Sequence, residues 1–279
     1  MSRNTLDSLL FLIIETEDSL VKAGAGIKFH NCNDIEFNKM KYAIIAAGEG
    51  SRLVEEGVKS PKPLVKINGE FLIDRLIRIF LQNTASEICV ICNSTMTEVA
   101  EHLNEVKNRI KYNGQVTLNL IVKSTLSSMH SFFELSKFLG NEPFVLTTVD
   151  TIFQEEEFKD YIKSFHRALH ENVDAFMGVT DFVDDEKPLY VGVDKELIVN
   201  GFFDKNDADY KYISGGIYGL TPRTITTLNR CVSSGKSKMR NFQRALLSDG
   251  LTVHAYPFSK VLDIDHAQDI IKAEDFLKQ

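Results

Sequence analysis

The sequence predicts an α/β fold: three layers, with helices on both faces of a mostly parallel sheet. Three observations predict it. Short apolar runs that read as buried strands alternate with stretches whose apolar residues recur at helical spacing. The first run, 42–47, stops at Gly48-Glu49-Gly50-Ser51-Arg52. A later run, 144–149, stops at Asp150. Open sheets of this kind bind ligands beyond the carboxyl ends of their strands, and both stops stand at such ends.

The elements follow in order. Residues 1–39 read as foreign to the rest, because Met40-Lys41-Tyr42 is a natural start for the first strand. They are expected to be an N-terminal extension, either an upstream start codon or an appendage of low order, with no catalytic residue. Segment 40–279 is expected to form a single domain in two halves, about 40–150 and about 151–279. In the first half, Leu72, Leu76, Ile79 and Phe80 predict a helix over 71–80, and 87–92 a strand. Val99, Leu103, Val106 and Ile110 form a narrow stripe that predicts a helix over 97–110. A strand follows over 116–122 with Val116, Leu118 and Leu120 on one face, then a helix over 129–139 and a strand over 144–149. The second half reads as a helix over 155–170, short strands over 175–180, 190–193, 198–203 and 213–220, and helices over 222–232 and 239–247. Strands over 251–256 and 261–264 and a helix over 267–277 close the chain. No low-complexity linker or internal repeat divides it.

Composition excludes several functions. Hydrophobic and charged fractions are ordinary for a soluble globular chain. A net charge of −7 argues against a nucleic-acid or anionic-membrane partner, so basic residues must be gathered locally for an anionic ligand. The four cysteines are too few and scattered for a disulfide framework. Cys89 and Cys92 lie within a predicted buried strand and have no second pair, so core packing is expected rather than zinc or redox chemistry. The longest early apolar run, 9–14, is too short for a membrane span and has no basic leader or cleavage site, so a cytoplasmic protein is expected.

The glycine turn suggests a phosphate seat. Gly48 and Gly50 allow positive φ and leave no Cβ between the backbone N–H groups and an anion. Arg52 adds a fixed charge with forked donors. In Pro61-Lys62-Pro63 two prolines restrict the backbone, which reduces the entropy lost on fixing the lysine. The alternative for Gly-x-Gly alone is an ordinary surface turn. A dinucleotide fingerprint needs a third glycine where Leu53 stands, and a P-loop needs a closing Gly-Lys-Ser/Thr; the chain has neither.

The stretch 42–64 resembles the signature of the nucleotidyltransferase family that makes NDP-sugars and related activated alcohols: Ala-Gly-x-Gly-Ser/Thr-Arg, then Pro-Lys-Pro/Ala-Leu. The likeness extends more loosely over 40–279. It implies a GT-A-like (Rossmann-like) fold and transfer of NMP from an NTP to a phosphorylated small molecule, foremost a sugar 1-phosphate, releasing pyrophosphate with Mg²⁺ as cofactor. By this resemblance Ala47, Gly48, Gly50 and Ser51 hold the nucleotide, Arg52 neutralises the leaving pyrophosphate and Lys62 the α-phosphate.

Asp150 reads as a helix cap or as a hard-cation ligand, and the resembled family has its metal aspartate here. Leu262-Asp263-Ile264-Asp265-His266-Ala267-Gln268-Asp269 resembles the family's late Asp-Thr-Pro-Glu-Asp element, whose first aspartate completes the magnesium site. Asp263 and Asp265 stand two residues apart on this extended segment; one of them is expected to reach the ligand, and Asp265 is the expected one. His266-Ala267 replaces Thr-Pro, which leaves the cap of the last helix open. Ser127 and Ser128 either cap the following helix or touch the nucleotide. His130 is expected to be structural, since an ionised phosphate nucleophile needs no base.

On the acceptor side, Tyr190-Val191-Gly192-Val193 and then Asp204-Lys205-Asn206 resemble the Gly-Val strand and Glu-Lys-Pro of sugar pyrophosphorylases, with the triplet altered. Lys205 holds the acceptor phosphate in that reading and is a solvated lysine in the other. Ser214-Gly215-Gly216-Ile217-Tyr218 resembles the strand beneath the acceptor, with Gly216 allowing close approach. Lys236, Lys238, Arg240 and Arg244 read as a solvated face, and Lys260, five residues before Asp265, as an acceptor-side cation. The altered triplet also admits a cytidylyltransferase for a phosphocholine-type alcohol phosphate, or a molybdenum-cofactor-like nucleotidyltransferase. An NDP-sugar-dependent glycosyltransferase needs no Gly-x-Gly-x-Arg loop or proline-flanked lysine. A non-catalytic nucleotide sensor needs no metal aspartates. Base preference and oligomeric state are not legible in these residues.

Overall fold

The computed structural model describes residues 39–113, 116–184 and 186–278. The expectations for the leader, Lys39 excepted, and for Cys32 fall outside the described residues. Asn38–Gln279 is one compact unit.

Strand β1 (Met40–Ala46) leads into a short helix, α1 (Ser51–Glu55), and a 3-10 turn at Lys62–Leu64. A small hairpin, β2 (Lys66–Ile67) and β3 (Glu70–Phe71), precedes α2 (Leu72–Gln82). Next come β4 (Ala85–Cys92), α3 (Thr97–Asn113), β5 (Thr117–Val122), α4 (Ser128–Leu139) and β6 (Phe144–Thr148). After β7 (Thr151–Ile152) and α5 (Glu155–His170) stand β8 (Ala175–Thr180), β9 (Tyr190–Val193), β10 (Val199–Phe203) and β11 (Tyr212–Leu220). Helices α6 (Arg223–Ser233) and α7 (Met239–Ser248) precede β12 (Val253–Phe258), β13 (Leu262–Asp263) and α8 (Ala267–Phe276).

Nine strands share one sheet. Its main row runs β12-β8-β11-β6-β1-β4-β5, and β9 and β10 join where Tyr212 and Ile213 open β11. β1 is parallel to β4 and β6, β4 to β5, and β12 to β8, whereas β11 is antiparallel to β6 and β8. The sheet is therefore mostly parallel, as expected, with a reversed strand inside it. Alternating side chains of β1 divide between two apolar clusters: Tyr42, Ile44 and Ala46 join one, Ala43 and Ile45 the other. The first takes side chains from α2, α3, α5 and α8, the second from α4, α6 and α7, which makes the three layers. Tyr42 is fully buried, stacks on Phe80 at 4.3 Å and donates its hydroxyl to the Asn83 carbonyl at 2.7 Å. The buried Tyr42 thus anchors β1 through both its ring and its hydroxyl.

Two expectations need correction. The strand expected over 251–256 lies at Val253–Phe258, because the Leu251 N–H is used on the Leu246 carbonyl to close α7. The strand expected over 261–264 reduces to Leu262–Asp263, which pairs antiparallel with β7. The β2–β3 hairpin was not expected; its turn is Asn68-Gly69, both at positive φ.

Candidate active site

Because β1 and β6 pair in parallel, their carboxyl ends lie side by side, Ile45 opposite Thr148. The chain leaves one end as the glycine turn and the other at Asp150. Between them opens a cleft of about 580 Å³, lined among others by Ala47, Gly48, Gly50, Ser51, Arg52, Lys62, Ser127, Ser128, Asp150 and Asp265.

Charge is paired across its floor. Lys62 is only 8% exposed; its Nζ donates to Asp265 Oδ1 at 2.8 Å and also to Asp150 Oδ2. Arg52 Nη1 donates to the other Asp265 oxygen, Oδ2, at 3.0 Å. Burial alone would lower the Lys62 pKa, but the two carboxylates more than reverse this and hold it above the ordinary lysine value. The lysine therefore stays an ammonium.

Local structure explains the placement. Pro61 and Pro63 bracket a tight turn in which Leu64 N donates to the Pro61 carbonyl at 2.8 Å and Val65 N to the Lys62 carbonyl at 3.1 Å. Gly50, at φ +63°, lies against the lysine stem: a Cβ there would stand 3.0 Å from Lys62 Cβ. Gly48 differs. Its φ is not positive, and a Cβ added to it would meet nothing within 4 Å, so of the two glycines Gly50 alone needs the left-handed conformation.

Asp265 reaches the cleft through the β7–β13 ladder. Asp263 pairs with Thr151, and Ile264 N then donates to the Asp150 carbonyl at 3.1 Å, so the two aspartates emerge together. The open question of the last cap resolves without Thr-Pro. The Asp269 carboxylate accepts from His266 N at 2.8 Å and Asp265 N at 3.2 Å, and Glu56, just after α1, accepts from Ala267 N at 2.6 Å.

Ser127 is the N-cap of α4: its Oγ accepts from His130 N at 3.4 Å and lies 2.9 Å from His130 Nδ1, so His130 is used at the cap. Asn93 was not singled out from sequence. It is buried, lines the cleft and accepts from Ser124 Oγ at 2.6 Å and Thr95 N at 3.0 Å. Its one sequence signal is a polar residue directly after a buried strand.

A second pocket of about 240 Å³ shares Arg52 and Asp265 with the cleft and includes Phe182, Asp184, Glu186, Gly215, Asp263 and Asp269. Gly216, expected beneath an acceptor, sits in a bulge of β11 at φ +71°. An added Cβ there would stand 3.2 Å from Thr151 Oγ1, so the glycine makes room for the turn that carries Asp150. Lys205 lines a separate surface pocket that meets the second one at Glu186. Its neighbour Asp204 pairs with Arg240 and Arg244, so part of the expected solvated basic face is tied down. Lys260, expected on the acceptor side, lies over the rings of Phe182, which lines that second pocket, and Phe276, at 4.1 and 5.1 Å from their centroids.

Cys89 and Cys92 are buried in β4, and burial pushes their thiols up to about 12 and about 11. Among the described residues no three histidine, cysteine or carboxylate groups gather as a metal site, and none of the helices is long and apolar enough to cross a membrane.

Known proteins share this fold. The family model described as nucleotidyl transferase matches residues 41–279. The bifunctional protein GlmU of Methanococcus maripaludis (strain C5 / ATCC BAA-1333) is 23% identical over an alignment of 239 residues that covers 84% of this chain. The chain spans only 53% of that relative's length. The inositol-1-phosphate CTP transferase from T. maritima superposes with a TM-score of 0.70 at 18% identity, covering 86% of this chain and 97% of its own. The UTP-bound UGPase from Acinetobacter baumannii gives 0.68 at 15% identity, covering 85% and 93%. At such identities the superpositions speak for the fold, whereas the family model spans nearly all of the described chain. This chain belongs to the nucleotidyl transferase family.

Proposed function

We infer that the protein transfers NMP from an NTP to a phosphorylated small molecule, a sugar 1-phosphate or related alcohol phosphate, and releases pyrophosphate. The convergence of Arg52, Lys62, Asp150 and Asp265 in one cleft carries the reading. An acceptor phosphate oxygen attacks the α-phosphorus in line; that P–O bond forms as the α–β bridging bond breaks, and the electron pair leaves on pyrophosphate. No proton has to be removed, so positioning and charge supply the rate. The turn from Ala47 to Ser51 runs along the phosphates. Arg52 answers the leaving pyrophosphate and Lys62 the α-phosphate.

Asp150 and Asp265 fit a magnesium ion. Both present hard oxygens to one point, where Lys62 now bonds each, and magnesium is usually held by one or two carboxylates together with substrate phosphates. When bound, the ion would supply positive charge that offsets the phosphate charge.

The acceptor body fits the second pocket, which shares Arg52 and Asp265 with the nucleotide cleft, and Lys205 lines the surface pocket that meets it at Glu186. A second reading, CTP with a phosphocholine-type acceptor, is favoured by Glu186 and Asp263 of that pocket, whose other two carboxylates, Asp184 and Asp269, pair with Lys272. A pyrophosphate-release assay with each NTP against sugar 1-phosphates, phosphocholine and inositol 1-phosphate tests both. One pair is expected to react, and Asp150→Asn to lower its turnover roughly 10²–10³-fold. Absence of pyrophosphate from every pair would leave a nucleotide-binding protein and refute the enzymatic reading.

A further inference from the structure

Lys62 stands where a divalent ion would have to bind. Its ammonium bonds Asp150 and Asp265 together, and Arg52 takes the remaining Asp265 oxygen. Two carboxylates thus face two cations, and the exposed Glu186 stands 3.9 Å from Arg52 Nη2. We propose that Lys62 is a resident counter-ion that closes the Asp150–Asp265 pair to free divalent metal, so that the ion enters only together with a nucleotide. This rests on the reading of those aspartates as the metal pair.

The argument is one of charge and room. The Lys62 side chain is only 9% exposed. A bare metal ion arriving alone would have to break both lysine contacts and leave a buried ammonium unpaired, which is costly. A nucleotide changes that balance, because its phosphates give the ammonium a new partner as the metal takes the carboxylates. Geometry makes the exchange short. The lysine stem is held against Gly50, with 3.0 Å between Lys62 Cβ and the place of a glycine Cβ, so it begins beside the phosphate turn itself. The prolines on either side hold the backbone, and the head of the side chain swings from carboxylates to phosphate.

The test is Mn²⁺ binding by equilibrium dialysis, on wild type and Lys62→Met, without nucleotide and with a mixture of the α,β-methylene analogues of the four NTPs. Nucleotide-free wild type is expected to bind Mn²⁺ weakly, and Lys62→Met to bind it at least about tenfold more tightly, since one opposing charge is gone. A lysine that merely held the structure together would give the opposite sign. Equal nucleotide-free affinity in the two proteins would overturn the proposal while leaving the metal pair standing. Should the variant not fold, wild type decides alone: the analogues are expected to raise Mn²⁺ affinity about tenfold or more, and Mn²⁺ bound as tightly without them overturns the proposal. No Mn²⁺ on either protein even with the analogues would remove the metal pair itself.

Discussion

Replacing Gly50 by alanine isolates the contact on which the site geometry depends. Two costs follow from the structure. At φ +63° an L-residue is held in the left-handed region, at about 1–2 kcal/mol. The new Cβ would also lie 3.0 Å from Lys62 Cβ, so the lysine must move by a few tenths of an ångström. With a total of about 2 kcal/mol, and roughly 2–4 °C lost per kcal/mol in a domain of this size, the melting temperature should fall by about 4–8 °C. Misplacement by about 1 Å can cost 10²-fold in rate, so the smaller lysine shift should lower kcat about tenfold. Thermal unfolding by circular dichroism and pyrophosphate release measure the two effects. Gly48→Ala is the control: its Cβ meets nothing within 4 Å and its φ is not positive, so its melting temperature should match wild type. A Gly50→Ala protein that melts like wild type and turns over within about twofold of it would refute the reasoning.

Two further outcomes are expected. Arg78 forks between Glu70 and Glu155 with four contacts of 2.8–2.9 Å, and its N–H donors draw the Glu155 carboxyl below the usual range although burial pushes it up. Arg78→Met should therefore lose about 2 kcal/mol near pH 7, trimmed by solvent at the partly exposed Glu155. That deficit should be full above pH 4.5 and close as pH falls through the depressed folded value, as read in urea unfolding curves from pH 3 to 7. Cys89 and Cys92, buried and with raised thiol values, should stay unlabelled by a thiol reagent at pH 8 until denaturant is added, as followed by mass spectrometry.

The central strands of the main row were legible because most of their side chains are buried on both faces, whereas β5, at the edge, was read from its alternation. β8, for example, is buried at every position, and a continuous apolar run marks such a strand. The β7–β13 ladder was not legible as a pair, since two-residue strands have no periodicity to read. The Asn68-Gly69 turn did carry a hairpin signal, but the strands beside it are equally short. At the cleft, residue types pointed to Arg52, Lys62 and Asp150, and the resemblance of 262–269 to the family's late aspartate element pointed to Asp265; residues two apart share a strand face, so alternation could not separate it from Asp263. Conformation was hidden: Gly48 and Gly50 look alike in sequence, and the packing of Gly50 on Lys62 separates them. Lys260 stands close to Asp265 in sequence, yet its direction is set by Phe182 and Phe276, each of which lies farther along the chain. Nearness along the chain did not predict side-chain direction.

The pairing of β13 with β7 also has a temporal meaning. A ribosome releases β1, Lys62 and Asp150 well before Leu262 and Asp263 emerge, and until they do Asp150 has no second carboxylate beside it. Joining the two segments closes a long loop, an entropic cost met only after the intervening chain has packed. A nascent chain not yet extended past Asp265, or one clipped before it, would therefore hold a finished first strand and an incomplete centre, and at roughly 5–20 residues per second the stretch from Asp150 to Asp265 takes on the order of 10 s to add.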